Sequence, residues 1–153
     1  MADELPAMTL KAIGIVRNEI KQKPPAGSDW WAELVSEIVI DSSLTEALDG
    51  LEEFSHIIVL CWMHQVGSAG VSLKIHPRGR QELPLTGLFA ARTPNRPNRI
   101  GKTTVRLLQL RGNILRVKGL DALNGTPVID IKPYIPGYDS VDDAEVPHWN
   151  PKR

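Results

Sequence analysis

Most of the periodic segments along the chain have the two-residue alternation of β-strands. Leu10–Val16 is short and rich in β-branched residues. Glu33–Ile40 alternates and ends in Ile38-Val39-Ile40. His56–Trp62 is a nearly continuous apolar run, the pattern of a strand buried on both faces. Val71–Ile75, Gly87–Arg92, Thr103–Leu110, Ile114–Gly119 and Val128–Ile131 complete the set.

Turn signals separate these runs. Arg111-Gly112-Asn113 reads as a tight hairpin, and Asn124-Gly125 is the strongest short turn signal in the chain. The one clear helix is Leu44–Asp49, with Ser43 and Glu46 as a capping box and Gly50 as its stop. Lys21–Asp29 reads as a loop, and from Ile135 on, through Pro136, Gly137, Pro147 and Pro151, the chain reads as an extended tail. About seven or eight short strands with one short helix predict a mainly β domain, a closed or nearly closed barrel or a sandwich. The expected division is a β domain over residues 1–138 and a tail over 139–153.

Composition narrows the picture. The chain has 153 residues, 42% of them apolar, enough for one packed domain and too short for two. A single cysteine, Cys61, excludes an internal disulfide framework and a thiolate zinc site, and is most simply a small buried hydrophobe. The N-terminus lacks the basic start and apolar stretch of a secretory signal, and no apolar run approaches a membrane span. The expectation is a soluble cytoplasmic domain with no metal and no membrane.

Net charge is zero, but the charges are segregated. Residues 74–118 carry 11 basic side chains against Glu82 alone, while the segments on either side are acidic. Such a segment is a candidate polyanion surface, because phosphate neutralisation dominates nucleic-acid affinity. The same charges could equally pair with the acidic N-terminal third.

Several catalytic signatures fail. The Gly-x-Gly-x-x-Gly fingerprint is absent, and Ile100-Gly101-Lys102-Thr103 lacks the upstream glycine of a phosphate-binding loop, with Arg96 in its place. His56, His64, His76 and His148 have no metal-ligand spacing, and no serine sits in a nucleophile elbow.

Two segments are chemically dense. Ala91–Lys102 (ARTPNRPNRIGK) holds Pro94 and Pro97, which stiffen it, and Arg92, Arg96 and Arg99, whose planar forks suit carboxylates and phosphates. Asn98 offers a donor and an acceptor to a heterocycle or ribose. Gly119–Tyr134 (GLDALNGTPVIDIKPY) holds the turn Leu123-Asn124-Gly125-Thr126, followed by a strand with Asp130 and Lys132 on one face. Gly125 permits close backbone approach to a ligand, with the Thr126 hydroxyl beside it. The plainer reading makes Asp130 and Lys132 a surface pair. His64-Gln65 closes the apolar run and either lines a pocket or is a satisfied rim histidine.

Together these motifs resemble the TsaA-like, TrmO-type family of S-adenosylmethionine-dependent tRNA methyltransferases. The resemblance runs from Ala12-Ile13-Gly14-Ile15-Val16 through Leu51–His56 and Trp62-Met63-His64-Gln65. It peaks at Gly87–Gly101 (GLFAARTPNRPNRIG) and ends at Leu123–Tyr134 (LNGTPVIDIKPY). It implies a small single-sheet β-barrel, a homodimer with S-adenosylmethionine near the subunit interface, and methylation of N6 of threonylcarbamoyladenosine in the tRNA anticodon loop. By motif it places His64, Gln65, Arg92, Thr93, Pro94, Arg96, Pro97, Asn98, Leu123, Asn124, Gly125 and Thr126 around the cofactor. Asn124 stands where the family usually has aspartate, and longer bacterial members carry an extra C-terminal domain. A carbamoylated adenine nitrogen is a poor nucleophile, so a general base is expected, with Asp130 and Tyr134 as the candidates. The competing reading is an S-adenosylmethionine-binding barrel that methylates or senses a small molecule and never touches RNA.

Overall fold

The strands are β1 (Gly14–Arg17), β2 (Val35–Ile40), β3 (His56–Trp62), β4 (Lys74–Ile75), β5 (Thr86–Gly87), β6 (Ile100–Arg111), β7 (Ile114–Lys118) and β8 (Pro127–Pro133). Six of them close into an antiparallel barrel in the order β1-β2-β7-β6-β3-β8, with β8 pairing back onto β1. β4 and β5 form a separate two-stranded ribbon in the segment between β3 and β6. The computed structural model describes residues 3–24, 29–65 and 70–150, so part of the expected Lys21–Asp29 loop and the last three tail residues lie outside the described residues.

Alternation explains the closure. Val16, Ile38, Ile57, Val59, Val105, Leu115, Val117 and Val128 point inward and are at most 1% exposed, so a single cluster fills the barrel. The long strand β6 pairs with β3 at its start and with β7 at its end. Within the pairing to β7 the register slips at Leu108, a bulge that locally bends the strand. The His56–Trp62 run is a strand over the predicted bounds, but its two faces differ. Ile57, Val59 and Cys61 fill the core, whereas His56, Leu60 and Trp62 are half-buried on the outer wall. Burial pushes the Cys61 thiol up to about 12, helped by the negative charge of Asp121, so it stays a protonated hydrophobe.

Several elements depart from the sequence expectation, among them the Val71–Ile75 strand, of which only Lys74–Ile75 forms, and the Leu10–Val16 strand, which starts at Gly14. The helix is a 3-10 helix, Ser42–Leu48, and its cap is Asp41, whose carboxylate accepts from the Ser43 N–H and hydroxyl. The Ser43–Glu46 capping box therefore does not form; Gly50, at φ 88°, opens a second short 3-10 turn. Of the expected Gly87–Arg92 strand only Gly87 is in a strand, as the second residue of β5, and a 3-10 turn at Leu88–Ala90 follows. The C-terminal segment is not extended throughout, because α1 (Pro136–Asp139) forms one helical turn, with the Asp139 carboxylate accepting from the Ile135 N–H. Among the described residues no helix is long and apolar enough to cross a membrane.

Candidate functional site

Antiparallel pairing decides which loops meet. β3 runs opposite to both β6 and β8, so its C-terminal end lies beside the start of each. The Ala91–Arg99 segment feeds into β6, and the Leu123–Thr126 turn feeds into β8. Both dense segments therefore emerge at the same barrel end, on either side of Met63-His64-Gln65. The Met63 N–H donates to the Arg99 carbonyl at 2.8 Å, joining the first segment to this rim. A Cβ on Gly125 would lie 3.9 Å from His64 Nε2, so the imidazole reaches to the second.

The Ala91–Arg99 loop is rigid for more than its prolines. The Arg96 guanidinium donates from Nη1 to the carbonyls of Ala91 (2.9 Å) and Thr93 (3.1 Å), pinning the start of the loop to its middle. It also lies over the Phe89 ring, 5.9 Å from the centroid. Through Nη1 Arg96 braces the loop, in addition to the cofactor contact that the resemblance implies for it. Arg92, Pro97 and Asn98 are exposed, whereas Thr93, Pro94 and Asn95 are half-buried.

The Leu123–Thr126 bend is held from far away. The Asn18 N–H donates to Asn124 Oδ1 at 3.0 Å, across 106 positions of sequence. Asn18 Nδ2 donates to Ser36 Oγ and to the Ala122 carbonyl, while its Oδ1 accepts from the Ile20 N–H. The Gly125 N–H donates to the Val16 carbonyl, and the Thr126 hydroxyl donates to the Leu123 carbonyl. Gly125 holds φ at 84°, a conformation costly for residues with a Cβ. Asn124 thus uses its oxygen to fasten the bend, a task an aspartate performs equally well. Thr126 is 4% exposed and supports the bend from within. Sequence reasoning missed Asn18; an asparagine just past a strand carries no signal until the barrel closes.

The two candidate bases are placed apart. Asp130 pairs with Leu60 across β3 and lies on the outer wall, where its carboxylate accepts from the Ile131 N–H and contacts Lys132 Nζ at 3.1 Å. Its plainer reading, a surface partner of Lys132, describes this arrangement. Tyr134 lies past the other end of β8, where its N–H donates to the His56 carbonyl and its ring meets the His56 ring edge-on at 6.4 Å. The seven residues of β8, about 20 Å long, lie between it and the Gly125 bend. His64 and Gln65 are exposed on their turn. Among the described residues no group of His, Cys, Asp and Glu could hold a metal ion.

An adenosyl sulfonium ligand needs hydrogen-bond acceptors for its amino groups, cations for its carboxylate and a close backbone approach. The acceptor is present: Asn95 Oδ1 is buried in the loop wall with no hydrogen-bond partner among the described residues. A buried orphan acceptor is costly, and a ligand N–H would relieve it. Gly125 supplies the close approach, and Arg92 an exposed cation. The residues fit. Asn95 too was absent from the expected contacts, and its burial could not be read from a polar loop sequence.

Comparison with known proteins places the chain in a family. The family model of the tRNA-methyltransferase O N-terminal domain matches residues 17–140. A probable S-adenosyl-L-methionine-binding protein of Methanothermobacter thermautotrophicus is 44% identical over 133 residues, 86% of this chain and 93% of the relative. A mouse tRNA (adenine(37)-N6)-methyltransferase is 43% identical over 100 residues, 65% of this chain but 23% of that protein. The crystal structure of TrmO from Pseudomonas aeruginosa superposes with a TM-score of 0.75 at 32% identity, covering 95% of this chain. The chain spans 64% of that solved chain. A rim in which a braced arginine-proline loop and a glycine bend converge beside His64 is accounted for by one conclusion: the chain belongs to the TrmO family of S-adenosylmethionine-dependent methyltransferases.

Proposed function

We propose that this chain methylates N6 of threonylcarbamoyladenosine in a tRNA anticodon loop, using S-adenosylmethionine. The observation that carries the reading is the meeting of the Ala91–Arg99 loop and the Gly125 bend at one rim, bridged by Met63 and His64. S-adenosylmethionine supplies an electrophilic methyl group, and transfer from a sulfonium requires in-line approach, so positioning is the chain's main contribution. Asn95 Oδ1 accepts from a cofactor amino group, and Arg92 faces its carboxylate. Gly125 and the exposed Asn98 border the adenosyl moiety, while Arg96 and Asn18 keep the two walls in place. Asp130, on the outer wall of β8, accepts the proton lost from the carbamoylated nitrogen.

The chain acts as a homodimer in the cytoplasm. Support for the dimer lies in the openness of the rim: Arg92, Pro97, Asn98, His64 and Gln65 are all exposed in one chain. Tyr134 reaches a site only from a second copy. The test is transfer of labelled methyl from S-adenosylmethionine to hypomodified tRNA lacking the N6 methyl, with mature tRNA as control. Incorporation into the hypomodified tRNA alone supports the reading; cofactor binding by calorimetry without transfer to any tRNA overturns it. That second outcome is the one expected if the barrel serves a small molecule, a reading favoured by the zero net charge.

A further inference from the structure

The eleven cations of residues 74–118 do not act together at the rim. Arg96 is committed within its loop, and the Arg80 side chain is bound to Glu82 at 2.6 Å. A second group stands on the outer wall. Inward positions of β6 are apolar or small, and after the Leu108 bulge the outward positions resume at Gln109. The outward series from position 102 is therefore Lys102, Thr104, Arg106, Gln109 and Arg111, every one an exposed hydrogen-bond donor. The neighbouring strand adds Arg116, opposite Gln109, and Lys118, opposite Arg106.

This arrangement is unfavourable for an isolated barrel. Arg106 and Lys118 are like charges directly across a strand pair, which is destabilising. Glu33 neutralises Lys118 at 2.7 Å, but no ion pair reaches Lys102, Arg106, Arg111 or Arg116 among the described residues. Two acids on neighbouring strands are engaged elsewhere: Glu37, opposite Arg116, is bound to Arg17 at 3.7 Å, and Asp130 to Lys132. From Lys102 to Arg111 the ladder spans about 30 Å, and it begins three residues after Arg99, at the candidate site. A narrow line of cations leading to a reaction site complements a linear polyanion rather than a small ligand or a flat surface.

We propose that the outer wall of β6 and β7, through Lys102, Arg106, Arg111 and Arg116, is the track along which an RNA backbone lies while its target base enters the rim. The proposal rests on the tRNA reading above and places the RNA contact on the barrel wall. Thr104 and Gln109 fill the gaps with neutral donors. Because the contacts are to phosphate, the track sets affinity and register, and base choice stays with the rim.

The test measures binding of an unmodified anticodon stem-loop transcript to the full chain over a range of salt. The variant Lys102→Gln/Arg106→Gln/Arg111→Gln/Arg116→Gln is compared with wild type and with a charge-keeping set, Lys102→Arg/Arg106→Lys/Arg111→Lys/Arg116→Lys. The glutamine set is expected to lose about tenfold or more in RNA affinity and to flatten the salt slope by roughly 3, near 0.7–0.9 per lost phosphate contact. It should keep S-adenosylmethionine affinity in calorimetry, and the charge-keeping set should bind RNA nearly as wild type does. RNA binding and salt slope unchanged in the glutamine set, with cofactor binding intact, overturn the track and leave the tRNA reading standing. Loss of self-association with an unchanged RNA slope assigns the wall to a contact between copies and overturns it too. Absence of RNA binding by the wild-type chain overturns both.

Discussion

The two walls of the rim reach rigidity by opposite routes. The Ala91–Arg99 loop carries its own bracing, from Pro94 and Pro97 and from Arg96 bonds that span only three and five residues. The Leu123–Thr126 bend is a short glycine turn whose position depends on Asn18, 106 residues away. A locally braced wall keeps its shape wherever the chain carries it, while a remotely fastened wall exists only once the barrel has closed. Damage to the first should remain local; damage to the second should reach the fold.

The largest expected effect therefore falls on the bend. Asn18→Ala removes two side-chain donations and an acceptor around buried Ser36 and Ala122, costing roughly 2–3 kcal/mol, seen as a lowered midpoint in urea unfolding. An unchanged midpoint would show that the backbone bonds of the bend to Val16 and Ile20, and not the Asn18 side chain, hold it. Gly125→Ala comes next: strain at φ 84° costs about 1–2 kcal/mol, and the bend's displacement against His64 weakens S-adenosylmethionine binding about tenfold by calorimetry. Arg96→Ala breaks two loop bonds and the Phe89 contact. It should raise the cofactor dissociation constant several-fold, with less than about 1 kcal/mol lost in global stability, because the loop opens without unfolding the barrel. A large global loss from Arg96→Ala would erase the contrast between the walls. The smallest effect is Asn124→Asp, which keeps an acceptor for the Asn18 N–H and should shift stability by less than about 0.5 kcal/mol at neutral pH.

How far the fold is legible follows from which residues bear it. β3 matches its predicted bounds because seven consecutive residues leave no polar break. β6 begins three residues earlier than Thr103, because Ile100, Gly101 and Lys102 pair with Trp62, Cys61 and Leu60 whatever their propensity. The Ser43 capping box fails because Asp41, two residues upstream of the expected cap, presents the better-placed acceptor. At the site, the glycine of the bend and the prolines of the loop announce themselves, since each limits its own backbone. Arg96 announces only that it can bind an anion or a carbonyl; which one it meets depends on how the loop folds back. Asn95 and Asn18 are ordinary polar residues until neighbours distant in sequence surround them.

Alternation and turn residues alone determine that this chain forms short antiparallel strands, because period-two burial and glycine or proline backbone limits act within a few residues. The two dense segments and the basic stretch are also visible at that range. Strand pairing decides the rest: β3 between β6 and β8 brings both segments to one rim and leaves Tyr134 at the far end, closure of β8 onto β1 lets Asn18 fasten the bend, and the β6–β7 register lines up the cations of one wall. Those are consequences of strand order and register, which arise from contacts between residues far apart in the chain.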